Sequence, residues 1–564
     1  MSTQSLNLSI DHSQQSHVEQ EILLGRLKDV KTSYDRNLCC MDGTRKSLLE
    51  QIMTWVTNGL EQADGKNLCW IYGLPGIGKT YVAHSICERL HDKEQLAGAF
   101  FCRKDDKELR NPRNILPTLI RKLAILFPPF RRIVADCFHH DPNLTPESMR
   151  PTLFLDFIRK LPLLPDKTLV FVIDAFDECD NTTSRPGILK VLADASAHAR
   201  WLKVIITSRQ EADIQHFFDS TTQLLHWGYD LTADKDTTRD LRSFAKVRFD
   251  KVASSRGLQP PWPEPLVLDI VITRAAGLFI FIKTLALALE HCRDPPEELG
   301  AILQDSARPA LESLHGLYSS IVRARRVQDD HSNADFRRMI GALLASAPHR
   351  PLCEGTIGEL AGVKPDLVKT WVDDLGSMLH RDEGANGGIR VRHLSISEFF
   401  ASDDDQADYH VNLRDANVDL GIACFEKMFK QLRFNICGLE DSRIANNDMR
   451  GLPSRIKDNI SDALQYSSLY WSNHLCFAPD NGDPRVWENL RKFFKEPYAL
   501  FWIEVLSVMG MLRIGVPSLR ELTSTLVKVS TAPTCCHWHS KIHLALSRIR
   551  IWNFWTEFKM FVVS

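Results

Sequence analysis

Residues 71–80 read IYGLPGIGKT. An apolar run of strand character stops at Gly73, turns through Pro75, Gly76 and Gly78, and meets Lys79 and Thr80 at once. The spacing is G-x-x-x-x-G-K-T. Glycine reaches positive φ at no steric cost, so successive backbone N–H groups can curl inward around an anion. The segment after the turn, TYVAHSICERL, has helical spacing, and a helix N-terminus adds partial positive charge. Lys79 can reach the β- and γ-phosphates of a nucleoside triphosphate, and the Thr80 hydroxyl can ligate Mg²⁺. Gly73, Pro75, Gly76, Gly78, Lys79, Thr80 and Tyr81 are therefore the candidate nucleotide-binding residues of this turn.

On either side of the turn, short apolar runs alternate with helical segments: LCWIYG (68–73), AGAFFC (97–102), TLVFVID (168–174), KVIITS (203–208) and TQLLHW (222–227). Buried strands separated by helices predict a parallel five-stranded sheet with helices on both faces, whose ligands sit at the carboxyl ends of the strands. Two more strands end in polar residues. LVFVIDAFDECD (169–180) places Asp174 to hold Mg²⁺ opposite Thr80, with Asp177 and Glu178 just beyond to orient or deprotonate an attacking water. KVIITSR (203–209) ends in Arg209, which can distinguish a triphosphate from a diphosphate by charge. The guanine-reading pattern N/T-K-x-D does not follow a later strand, so adenine is the expected base.

Lys+Arg total 69 against Asp+Glu 71 in 564 residues, which argues against a chain built to coat nucleic acid or an anionic membrane. The length predicts roughly three to five domains. The start, MSTQSLNLSIDHSQQSH, has neither the basic nor the apolar region of a secretory signal, and the 14 cysteines follow no repeating spacing. A reducing compartment, cytosolic or nuclear, is expected, with a cytoplasmic location the reading adopted. The apolar stretches 275–290 and 498–512 each carry a charge and fall short of the roughly 20 residues of a membrane span, so both read as buried helices. Beyond about residue 230 the pattern is helical, apart from a hairpin over 378–394 that turns at NGG.

These motifs in this order, GLPGIGKT, then FFCRKDDKELRNPRNILPTLIRKLA (100–124), then VFVIDAFDECD, then VIITSR, resemble the NACHT domain of STAND-class P-loop NTPases. In that family a small residue follows the Mg²⁺ aspartate and acids come three and four positions after it, which Asp174, Asp177 and Glu178 match. ITRAAGLFIFIKTLALAL (272–289) resembles the helical lid after such a core, although Gly277-Leu278-Phe279 stands where relatives often carry a proline against adenine. VRHLSISEFFAS (391–402) resembles the end of the family's winged-helix domain, where a histidine, here His393, touches bound ADP. Residues 425–475 resemble fungal NACHT proteins that continue into WD40 or other repeats; no such repeat is visible here.

The resemblance implies an α/β P-loop NTPase core followed by helical lid, winged-helix and all-α domains. The expected boundaries are a flexible segment to 35, a helical lead-in over 36–66, the core over 67–230, the lid over 231–330, the winged helix over 331–402, a helical domain over 403–530, and an atypical tail over 531–564. It further implies a signalling switch that binds ATP or ADP with Mg²⁺ and hydrolyses ATP slowly. ADP bound through Lys79 and His393 would hold it closed, and ATP would favour self-association into a homo-oligomer acting on a protein effector. The competing readings are an AAA-type motor, a nucleotide-binding scaffold without catalysis, and a DNA-binding regulator. In the last, Lys364 and Lys369 are offset by Asp366, Asp373 and Asp374, so no nucleic acid is expected. In the tail, Cys535, Cys536, His537 and His539 lack the spacing of a zinc site.

Overall fold

A computed structural model describes residues 32–57, 66–141, 152–161, 167–180, 184–221, 226–304, 310–325, 330–382, 387–402, 409–440, 446–477 and 483–515, with a few isolated positions beside them. The tail cysteines and histidines, and residues 222–225 of the expected fifth strand, lie outside these. The chain forms two compact units, Met1–Ser320 and Ile321–Ser564.

The first unit is built on five parallel strands, β1 (Leu68–Tyr72), β2 (Leu96–Phe101), β3 (Leu169–Asp174), β4 (Leu202–Ser208) and β5 (His226–Asp230), in the order β2-β3-β4-β1-β5. The run TQLLHW thus overlaps β5 only at its last two residues, and the strand continues through Gly228, Tyr229 and Asp230. β5 is only half-buried, unlike β2 at the opposite edge, so it lacks the apolar signature that marks the four others.

Alternation along the strands divides the core in two. Trp70, Phe171, Ile173, Val204 and Ile206 join a cluster with helices α3 (Ile115–Leu126), α4 (Pro128–His140), α5 (Thr152–Arg159), α6 (Arg185–His198) and α7 (Ala212–Thr221). Cys69, Ile71, Val170, Val172 and Ile205 are buried outside that cluster. Helix α2 (Lys79–Asp92), which buries Val82, Ala83, Ile86 and Leu90, packs on the sheet, and α1 (Lys46–Thr57) packs on α2. The sheet is therefore covered on both faces, as near-continuous apolar strands require. Four helices follow: α8 (Thr237–Arg256), α9 (Pro265–Ala275), α10 (Phe279–His291) and α11 (Pro295–Leu303).

In the second unit, α13 (Asp330–Ser346), α14 (Glu354–Ala361) and α15 (Pro365–Asp374) precede an antiparallel hairpin of β6 (Leu379–Arg381) and β7 (Ile389–Val391); α12 (Ala310–Arg325) runs across the division between units. Helices α16 (Leu394–Phe400), α17 (Leu413–Gln431), α18 (Leu452–Asn459), α19 (Asp462–Leu475), α20 (Pro484–Lys495) and α21 (Tyr498–Val508) complete it. Its core holds Phe425, Trp471, Phe493 and Trp502 in a run of ring contacts. Among the described residues no helix is long and apolar enough to cross a membrane.

Candidate nucleotide-binding site

Inserting β4 between β1 and β3 sets three strand ends side by side. The register pairs Ile71 with Thr207 and Ile173 with Ile206, so the next residue of β3, Asp174, comes level with Thr207. The Thr207 hydroxyl donates to Asp174 Oδ1, and the Ala175 N–H donates to Thr207 Oγ1 at 3.0 Å. Asp174 is 1% exposed, and burial pushes its carboxyl up to about 6, against hydrogen bonds from the Thr207 and Thr80 hydroxyls. The loop residue Thr80 and the strand-end Asp174 are thus neighbours.

The loop is a true left-handed turn: φ is +154° at Gly73, +78° at Gly76 and +103° at Gly78. A Cβ on Gly76 would lie 2.1 Å from Cγ2 of Ile280, so the first turn of α10 seats directly on the loop. The Ile280 N–H donates to the Gly76 carbonyl at 3.1 Å. Lys79 Nζ curls into the loop, donating to the Gly73 and Leu74 carbonyls at 2.8 and 3.0 Å. Burial pulls its ammonium down to about 8, opposed by Asp177, Asp174 and Glu178. Pro75 is half-buried within the turn, and Tyr81 meets the α10 side chain of Lys283, whose Nζ lies 3.1 Å from its hydroxyl.

Beyond Asp174 the chain must reverse sharply. Ala175 takes φ +53°, ψ +45°, and a single 3₁₀ turn over Phe176–Glu178 follows. A left-handed alanine costs about 1–2 kcal/mol, less than a bulkier or β-branched residue would, which is why a small residue suits this position. The two acids then part company. Asp177 accepts the Arg209 backbone N–H at 3.0 Å and pairs with Arg209 Nε at 3.3 Å. Glu178 accepts the Lys104 N–H at 3.1 Å, and burial, with help from Asp177 and Asp174, pushes its carboxyl up to about 7. The segment after β2 wraps this turn: Asp180 N–H donates to the Arg110 carbonyl at 2.7 Å, and the side chains of the two residues pair at 2.9 Å. The buried thiols of Cys102 and Cys179 meet at 3.1 Å.

Two arginines escape notice in the sequence. Arg185, 5% exposed at the start of α6, donates to the Asp177 and Cys179 carbonyls at 2.9 and 2.7 Å while pairing with Glu211. Arg45, 3% exposed, reaches from the lead-in to the loop and to the segment after β5. Neither lies in a motif: each is a single arginine beside a helix start, indistinguishable locally from a surface cap. His393 belongs to the second unit, where its Nδ1 accepts the Ser395 N–H at 3.1 Å and caps α16.

The donors fit Mg²⁺ rather than a softer metal: a hydroxyl and a carboxylate stand at the phosphate side of the loop, and this ion commonly takes one or two protein oxygens with phosphates and waters. Among the described residues no group of three or more His, Cys, Asp or Glu side chains could hold a metal by itself.

The family model described as Nephrocystin 3, N-terminal, matches residues 43–209, a span running from the lead-in to Arg209. The vegetative incompatibility protein HET-E-1 of Podospora anserina is 23% identical over 526 residues, covering 86% of this chain. This chain corresponds to 37% of that relative's length. Among solved structures, the Walker-type ATPase PABY2304 of Pyrococcus abyssi is 14% identical with a TM-score of 0.30, covering 67% of this chain and 99% of its own. Cdc6p from Pyrobaculum aerophilum is 14% identical with a TM-score of 0.31, covering 66% and 96%. Loop geometry and strand order give the chain a P-loop NTPase-type fold, and its sequence is similar to the nephrocystin 3 N-terminal family over residues 43–209 and to that fungal relative over most of this chain's length.

Proposed function

We propose that the chain is a nucleotide-operated switch that binds ATP or ADP with Mg²⁺, hydrolyses ATP slowly and self-associates in the ATP state. The observation that carries this reading is the junction of Thr80, Asp174 and Thr207 beside the Lys79 loop. In this reading the loop N–H groups and Lys79 bind the phosphates, and Thr80 and Asp174 hold the metal. Bound Mg²⁺ would supply charge neutralisation at the β- and γ-oxygens. Glu178 takes the proton of the attacking water, for which a carboxyl near 7 is suited. Asp177 holds Arg209 in place, and Arg209 reads the γ-phosphate. The contact of α10 with Gly76 supports a switch, since a change in the loop is felt at once by that helix. The name of the fungal relative suggests an incompatibility-like signalling role acting through a protein effector.

The test is calorimetric titration of the wild-type chain and Lys79→Ala with Mg-ADP and Mg-ATP, with mass measured by light scattering in each state. Loss of charge-assisted hydrogen bonds from Lys79 should weaken binding about 10- to 100-fold. Binding by the wild type that is indifferent to Lys79, or equal mass with both nucleotides, would refute respectively the site and the switch.

A further inference from the structure

We infer that Arg45 is a positioning residue for the phosphate loop, fixing the peptide that aims the Gly78 N–H at the nucleotide. Its guanidinium is almost fully buried; both terminal nitrogens have acceptors, while Nε has none among the described residues. Nη1 donates to Asp234 at 2.6 Å and to Thr237 Oγ1 at 2.7 Å, and Nη2 donates to the Ile77 carbonyl at 3.1 Å. Its own backbone N–H donates to Asp240 Oδ2 at 2.7 Å, and its guanidinium carbon lies 5.3 Å from the Phe279 ring centroid. Arg45 itself takes φ +52° to make these contacts. One side chain therefore joins the lead-in, the loop, the connection after β5 and the start of α8.

The consequence follows from the planarity of the peptide. In a trans peptide the carbonyl of residue 77 and the N–H of residue 78 point in opposite directions. A buried cation holding the Ile77 carbonyl from outside the loop therefore turns the Gly78 N–H toward its concave side. The preceding Gly76 carbonyl is likewise held from outside, by the Ile280 N–H. Glycine at these positions permits the inward conformation but does not select it, because it populates both signs of φ. Arg45 and Ile280 supply the selection. Lysine at position 45 could keep an ion pair with Asp234, but a single ammonium has no planar fork with which to hold Asp234 and the Ile77 carbonyl in fixed directions.

This inference rests on the phosphate-binding reading of the loop, and the experiment separates the two. The full chain, labelled with ¹⁵N-glycine, is titrated with Mg-ADP as wild type and as Arg45→Lys; affinity is taken from calorimetry and the Gly78 amide resonance from spectra. The wild-type Gly78 amide should move downfield on binding. In Arg45→Lys, with near-UV circular dichroism preserved, affinity should fall about tenfold or more and that shift should be lost. Affinity within twofold of wild type, or weakened affinity with the Gly78 shift intact, would overturn the positioning role. Should Arg45→Lys fail to fold, Arg45→Gln combined with Asp234→Asn removes both charges, and the same two readouts decide in the same way. A wild-type chain that binds no ADP would instead overturn the reading of the loop itself.

Discussion

At the scale of single residues, the site divides its carboxylates by environment. Asp174 and Glu178 are both raised by burial, to about 6 and about 7, while Asp177 is occupied by Arg209. A carboxyl raised above its unfolded value contributes stability below the unfolded value that is lost as pH rises through the folded one. Holding Asp174 ionised therefore costs the nucleotide-free chain up to about 3 kcal/mol above pH 7, from a shift of about two units. Asp174→Asn should accordingly raise the denaturation midpoint of the nucleotide-free chain at pH 8, by an amount that shrinks as pH is lowered through 6, while abolishing the Mg²⁺ dependence of nucleotide binding. Chemical denaturation at several pH values measures the first, and titration with and without EDTA the second. For Glu178, single-turnover hydrolysis should rise with pH through about 7, as the base loses its proton. Glu178→Gln should bind Mg-ATP normally and hydrolyse it about 10²–10⁴-fold more slowly. Equal losses from Asp177→Asn in binding and hydrolysis would fit its role in holding Arg209. The acids themselves were legible from DAFDE, but their separate duties were not, because Arg209 and Lys104 reach them from other strand ends.

At the scale of elements, the decisive contact is between the loop and α10. Gly76 is doubly constrained, by φ +78° and by Ile280, whose Cγ2 would lie 2.1 Å from any Cβ added at that glycine. Gly76→Ala should therefore destabilise the first unit by about 1–3 kcal/mol and displace the N-terminus of α10, with loss of ADP binding. Thermal unfolding and calorimetry check both parts; an alanine variant with wild-type melting and affinity would show that α10 yields freely. Helix α10 itself was readable from an apolar run with helical spacing, and four of the five strands from apolar runs without alternation. That Phe279 and Ile280 would rest on Gly78 and Gly76 was not readable, since most of the first unit separates them in the chain. The fifth strand was only partly legible for a different reason: HWGYD is half-exposed along its length, unlike the covered edge strand β2, and half-exposure permits histidine, glycine and aspartate.

At the scale of the whole molecule, the two units rest on different cores, and the second carries its own acid-sensitive element. His474 is fully buried; it makes a 2.9 Å bond to Asn417 Oδ1 through Nδ1 and a 2.8 Å bond to the Tyr466 hydroxyl through Nε2. Because Asn417 Nδ2 already donates to the Leu413 carbonyl, its oxygen accepts from His474 Nδ1–H, which leaves Nε2 to accept from tyrosine. Burial, reinforced by nearby His349, holds the imidazole well below its ordinary value, so the folded ring stays neutral. The unfolded chain takes up that proton below about pH 6.5. Stability of this unit should thus fall by about 1.4 kcal/mol per pH unit below 6.5, from this residue alone. Denaturation curves at pH 7.5 and 5.5 should show the loss, and His474→Gln should flatten it while lowering stability at neutral pH.

The features that could be read from the chain alone are local: a glycine-rich turn between strand and helix, acids and an arginine at two later strand ends, and helical periodicity beyond. Each of these is set by backbone sterics or by the burial of a few neighbouring residues, so a short window contains the cause. Folding in three dimensions settled the rest: which carbonyls Arg45 and Arg185 hold, which acid faces Arg209, and which helix closes on Gly76. Those partners lie as far apart in chain order as Gly76 and Ile280, and they are brought together by the insertion of β4 between β1 and β3 and the return of α10 to the loop. A buried guanidinium must find acceptors wherever the fold supplies them, and no spacing in the chain records where that is.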